Sequence, residues 1–236
     1  MLVGLGNFFF RYRNLLVPLA FALVLLPGPR IFGDPYLPLI AGAGIALLGQ
    51  IVRALTIGLK YIVRGGRNRR VYAEDLVTDG IYSHTRNPMY VGNLLILAGL
   101  AVASNSWIVV LVAIPLAVLV YVSIVAAEEN FLRGKFGPGY DEYARAVPRW
   151  LIKFRGLGET LGSSEFHWRR LLVKEYGTTA AWIVAISVTA WISFRYSTGA
   201  VPTGALRTTL FVCVAIVAVF WLAARWLKKS RTVVAD

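Results

Sequence analysis

Long apolar runs dominate the pattern of this chain. A helix needs about 20 mainly apolar residues to cross a bilayer core. That length selects stretches near 14–32, 36–62, 88–104, 107–127, 178–196 and 208–227. The first is the weakest, because Pro18, Pro27 and Pro29 interrupt it and the basic "RYR" before it resembles the n-region of a signal peptide. There is no clear small-x-small cleavage site, so a retained span is expected. Spans three and four are joined only by "SNSW", which makes them an antiparallel helical hairpin. The pattern predicts an all-α, polytopic membrane bundle of six helices.

Composition agrees: 57% of residues are hydrophobic and 16% charged, and the mean hydropathy is +0.63, beyond the range of an ordinary soluble domain. The lone Cys213 has no partner for a disulfide. The net charge of +13 would suggest nucleic acid in a soluble protein, but basic residues also orient spans. With both termini in the cytosol, Arg30, Arg195 and Arg207 fall outside and Arg53 and Lys60 within span two. The other 20 of the 25 basic residues are then cytosolic. This bias fixes the orientation and accounts for most of the charge without nucleic acid, and it leaves attraction to anionic lipid headgroups as a secondary effect. The expected location is the cell membrane.

Two cytosolic segments, 63–87 and 128–177, are left over. The first is "RGGRNRRVYAEDLVTDGIYSHTRNP", in which "TDG" signals a turn. The second begins "EENFLRGKFGPGYDEYARAVPRW", in which "GPG" separates two amphipathic helical pieces and "VP" ends the second. Taken singly, the residues have plain explanations. Asn87 and Pro88 are a favoured N-cap and first helical residue, Tyr82 and Tyr90 suit a membrane boundary, and Arg86 is one more orienting charge.

Taken together, "GIYSHTRNPMYVG" and "EENFLRGKFGPGYDEYARAVPRW" resemble the membrane methyltransferase superfamily of isoprenylcysteine carboxyl methyltransferases and phospholipid methyltransferases. The matching positions are Gly80, Tyr82, Arg86, Pro88, Tyr90 and Gly92, then Glu128, Glu129, Leu132, Phe136, Gly137, Tyr140, Tyr143, Val147 and Pro148. The likeness covers residues 40–151. It implies an enzyme that binds S-adenosylmethionine (SAM) at the cytosolic mouth and methylates a lipophilic acceptor entering from the bilayer, by carboxyl methylation or phospholipid-type N-methylation. By the same analogy Leu76, Val77, Tyr82, Asn87, Pro88, Tyr90 and Glu128 line the cofactor pocket.

The residue types suit that cofactor. The backbone around Leu76 can meet adenine, and Tyr82 and Tyr90 can contact its rings or the methyl-bearing sulfur. Glu128 can partner the ammonium or the ribose hydroxyls, and the amides opening span three favour the carboxylate near Asn87. Counting from the "SNSW" turn at 1.5 Å per residue, Glu128 projects roughly 7 to 8 Å further into the cytosol than Asn87. Glu129, about 100° further round the helix, is expected to bond arginine or backbone instead. Asn87 stands where many carboxyl methyltransferases have His. Ile124 stands where eukaryotic ones have an Arg proposed to hold the substrate carboxylate.

Two residues are catalytic candidates. His84 is the imidazole next to the motif and would be the base if the acceptor must lose a proton; the plain alternative is a solvated loop histidine. Arg53, seven residues before Lys60, either snorkels toward the cytosol or reaches an anionic group in the cleft. His84 and His167 are the only histidines and there is no Cys-x-x-Cys, which argues against a metal site. "GAGIALLG" at 42–49 reads as close helix packing by small residues rather than as a dinucleotide loop. A membrane reductase using NADPH and a non-catalytic transporter or scaffold remain as alternatives. The expected organisation is an N-terminal span (1–35), a methyltransferase core (36–151), a basic linker (152–177) and a C-terminal two-span hairpin with a basic tail (178–236).

Overall fold

The computed structural model describes residues 1–60 and 72–230; the basic run at 64–70 lies outside them. The described residues are helical without strands, apart from an isolated bridge between Arg30 and Ser106. Helix α1 covers Leu2–Phe21 and passes into a 3-10 turn at Ala22–Leu25. This corrects the expected first span at 14–32. Pro27 and Pro29 flank Gly28 in a non-helical link, because proline removes a helical donor and clashes with the preceding turn. The helix is displaced toward Met1. The link docks on the "SNSW" turn, where the Trp107 amide donates to Pro29 O at 3.0 Å and the Phe32 amide to Asn105 Oδ1 at 2.9 Å.

Helices α2 (Leu37–Leu59), α4 (Trp107–Phe136), α7 (Trp168–Thr198) and α8 (Gly204–Lys229) are long and apolar enough to cross a membrane, and α3 (Pro88–Ala103) is a shorter apolar helix. Two helices outrun their apolar stretches. α4 continues through Glu128 and Glu129 to Phe136 instead of stopping at 127, and α7 starts at Trp168 instead of 178. A helix propagates through charged residues of good propensity, whereas hydropathy marks only the part matched to lipid. At Gly137, φ +53° ends α4 and turns the chain into α5 (Pro138–Ala146), the break expected at "GPG". Helix α6 is Leu157–Ser163.

The bundle centres on α2 and α3, whose backbones touch. A Cβ added to Gly42 would lie 2.4 Å from Gly99 O, and one on Gly49 2.6 Å from Gly92 O. Glycines seven residues apart on each helix form one stripe on each, so the helices approach more closely than larger side chains allow. The "GAGIALLG" stretch packs helices, as expected. Buried Ala46, Ile96, Leu100, Ala103 and Ile186 continue this seam into α7. Helix α1 lies along α4, with Gly6 against Ser123 and Phe10 against Tyr121 and Ile124. Helix α8 packs on α7 and leaves Phe211, Val219 and Trp226 exposed. The bundle thus has a turn end at Ser104–Ser106 and a motif end where α3 begins and α4 overshoots.

Candidate functional site

The site starts at the motif end of α3. Asn87 precedes the helix with a non-helical backbone and Pro88 takes its first position. The Asn87 side chain does not cap the helix; its Nδ2 donates to Arg149 O at 3.1 Å, which ties the motif to the exit of α5. Inside the first turn, the Tyr90 hydroxyl donates to Glu128 Oε1 at 2.6 Å. Helical side chains lean toward their own N-terminus. Tyr90 therefore leans toward the motif end and Glu128, on an antiparallel helix, back toward the bundle, and the two close the axial offset expected from chain counting. The Tyr121 ring lies 5.3 Å from that of Tyr90.

The neighbouring carboxylate is bound differently. Glu129 Oε1 lies 3.0 Å from Arg86 Nη2, and its two oxygens accept from Arg149 Nε at 3.0 Å and Nη2 at 2.5 Å. Arg86 also donates through its backbone amide to Pro148 O at 2.9 Å and through Nη1 to Ala144 O. Glu129 and two arginines thus lock α4, the motif loop and the end of α5 together, in line with the expectation that it bonds arginine.

The remaining motif residues gather around this lock. The Tyr143 hydroxyl donates to Tyr82 O at 2.8 Å, Val77 packs on Ile81 and Tyr82, and Leu76 packs on the cluster of Ala73, Leu132 and Tyr140. Leu76, Val77, Tyr82, Asn87, Pro88, Tyr90 and Glu128 therefore all lie at the motif end, with Tyr90 and Glu128 in direct contact.

His84 is not a solvated loop residue. It is 3% exposed, with Nδ1 2.6 Å from Lys153 O and Nε2 2.9 Å from Thr160 Oγ1. The Lys153 amide returns a bond to His84 O at 2.9 Å. The ring is enclosed because α6 folds back on the turn at Gly80–Ser83.

Arg53 does not snorkel. At 7% exposed, it places Nε 2.5 Å and Nη2 2.9 Å from the two oxygens of Glu175 on α7, and its Nη1 donates to Asn93 Oδ1. Gly92 opens this route: a Cβ there would lie 2.5 Å from Arg53 Cγ. The anionic group that Arg53 reaches is the chain's own. Sequence reasoning assigns no role to Glu175, Asn93 or Tyr121. The available signal is polarity inside apolar helices, and for Glu175 it is hidden by the reading of residues 152–177 as a linker. Next to these residues, a largely apolar cavity of about 600 Å³ lies between α1, α3, α4 and α7, with Asn93, Tyr121 and Thr178 among its lining. Among the described residues there is no group of three or more His, Cys, Asp or Glu that could hold a metal ion.

Comparison with known proteins adds an independent finding. A family model described as phospholipid methyltransferase matches residues 39–139. The cobalt-zinc-cadmium resistance protein CzcN of Cupriavidus metallidurans is 33% identical over 165 residues, covering 65% of this chain and 71% of that protein. The protein-S-isoprenylcysteine O-methyltransferase of Schizosaccharomyces pombe is 29% identical over 110 residues, 44% of this chain and 45% of that enzyme. Protein-S-isoprenylcysteine O-methyltransferase B of Arabidopsis thaliana is 33% identical over 117 residues, 45% of this chain and 55% of that enzyme. The chain thus spans about half the length of these two enzymes. No solved structure matches it.

Proposed function

This chain belongs to the membrane methyltransferase superfamily of isoprenylcysteine and phospholipid methyltransferases, and from that membership we propose that it transfers the methyl group of SAM to a lipophilic acceptor drawn from the bilayer. The observation that carries the reading is the Tyr90–Glu128 contact, where the two motif segments meet. The residues fit the cofactor. Glu128 is a 6% exposed carboxylate, oriented by a phenol, which suits an ammonium or a ribose hydroxyl. Tyr82 and Tyr90 add aromatic faces, and the amides at the start of α3 suit a carboxylate. Leu76 and Val77 supply backbone and apolar surface for the adenine. Held there by Glu128, Tyr82, Tyr90 and the α3 amides, SAM would supply a methyl on a cationic sulfur to an acceptor lone pair, with a neutral thioether as the leaving group.

No base is assigned. Both ring nitrogens of His84 are engaged with Lys153 and Thr160, and we place His84 in the scaffold that holds residues 153–160 against the motif. This favours an acceptor that is anionic, or neutral with a free lone pair, at working pH. The charge bias supports a motif end and both termini in the cytosol, and on this reading the chain is a multi-pass protein of the cell membrane; reporters fused at Met1 and at the C-terminus are expected to read cytosolic.

Titration of the detergent-solubilised protein with SAM, S-adenosylhomocysteine and NADPH tests the function. Binding of the first two without the third is expected. Binding of NADPH in their place would turn the reading into a membrane reductase, and binding of none would leave a non-catalytic protein.

A further inference from the structure

The cavity beside Tyr121 has a wall that the family match does not include. Of its lining residues, Thr178, Ala181, Trp182 and Ala185 come from α7, beyond residues 39–139. That wall is held in register by polar contacts buried in the bundle. Glu175 is bound at two oxygens by Arg53, and Gln50 Nε2 lies 3.4 Å from Glu175 Oε1. Trp182 Nε1 donates to Gln50 Oε1 at 2.7 Å. A slip of α7 by one turn would break all of these at once, and polar groups buried in this way specify register.

The cavity is polar at one end only. Asn93, Tyr121 and Thr178 lie at the level of Arg53; Leu100, Ala101 and Val109 lie toward the turn end. At roughly 30 Å³ per heavy atom, the share of a water molecule in the liquid, about 600 Å³ holds roughly 20 heavy atoms. Its reach along α4 from Val109 to Tyr121, at 1.5 Å per residue, is about 18 Å. A zigzag chain of about 16 carbons with bonds of about 1.5 Å extends to nearly the same length.

We propose that α7 is the specificity wall of an acceptor chamber, and that the chamber takes the one apolar tail of a single-chain amphiphile with its head at Asn93, Tyr121 and Thr178, next to Tyr90. A second tail of the same length would exceed that volume of about 600 Å³. This deepens the methyltransferase reading and rests on it for the identity of the tail's owner as acceptor. The C-terminal hairpin thereby gains a role, since α7 completes the chamber and α8 supports α7.

Native mass spectrometry of the full-length protein, offered palmitate and dipalmitoyl phosphatidylcholine as separate probes, tests the proposal. One palmitate per chain is expected, with weaker retention of the phospholipid. Ala185→Phe and Ala117→Phe fill the chamber from opposite walls, so that a folding failure in one leaves the other. Each is expected to reduce palmitate retention at least tenfold while S-adenosylhomocysteine affinity stays within twofold. Retention of palmitate by both filled variants, or equal capture of phospholipid and palmitate, overturns the proposal. If palmitate binds and is displaced by the fillings but S-adenosylhomocysteine never binds, the chamber stands and the methyl-transfer reading falls.

Discussion

Two buried acidic clusters, one at the motif end and one between α2 and α7, are built differently. At the motif end, Glu128 and Glu129 are adjacent in sequence but face different partners. Glu129 is held by two guanidinium groups, while Glu128 meets the phenol of Tyr90. Deeper in the bundle, Glu175 and Arg53 match one another charge for charge, with Asn93 and Gln50 as neutral neighbours. The first cluster separates a structural carboxylate from one suited to a cationic ligand. The second is an internally neutral clamp between the family core and the C-terminal hairpin. A buried charge in a membrane protein is thus a candidate site until its partner is known, and the partner decides which kind of site it is.

The deep clamp should show the largest effect. Arg53→Ala or Glu175→Ala removes one partner of a buried pair and should lower unfolding stability by about 3 to 5 kcal/mol, whereas Arg53→Met with Glu175→Met should recover most of that loss. Denaturant unfolding in detergent measures it, and single-variant losses below about 1 kcal/mol would show that the pair clamps nothing.

Glu128→Gln comes next, with the opposite signature. Loss of a charged hydrogen bond worth about 1.5 to 3 kcal/mol should weaken SAM binding ten- to a hundredfold by calorimetry while the unfolding midpoint holds. Unchanged affinity would remove Glu128 from the cofactor site and leave no functional contrast between the clusters. Glu129→Gln tests the other half of that contrast, because it should lower stability by about 1 to 3 kcal/mol yet change SAM affinity much less than Glu128→Gln does. His84→Ala should be the mildest in turnover. It should cost about 1 kcal/mol of stability through the bonds to Lys153 and Thr160 and retain most methyl transfer. A hundredfold fall in turnover with intact SAM binding would restore His84 as a base.

Several of these residues are legible in the sequence. The paired motif segments point to Tyr90, Glu128 and Asn87, and a family motif fixes residue types at spacings that backbone geometry must honour. Arg53 is visible as an intramembrane charge, but its partner is not. Glu175 lies 122 positions away, on a helix whose first turns look like a basic linker. His84 is visible as an imidazole near the motif, yet its enclosure depends on α6, a helix of seven residues too short for periodicity to announce.

The amino-acid order is sufficient for the features that depend on local composition: a helical membrane bundle, the α3–α4 hairpin, the break at Gly137 and the motif family. Hydropathy, turn chemistry and motif spacing act over a few residues or one span, so they can be read along the chain. Which charges neutralise one another, where α1 and α7 begin, and that α7 walls a chamber beside Tyr121 emerge only from the packed bundle. Those outcomes depend on which helix faces touch. At 2.4 to 2.9 Å between added Cβ atoms and the neighbouring backbone of α2 and α3, contact is set by the packing of all the helices together rather than by any one segment.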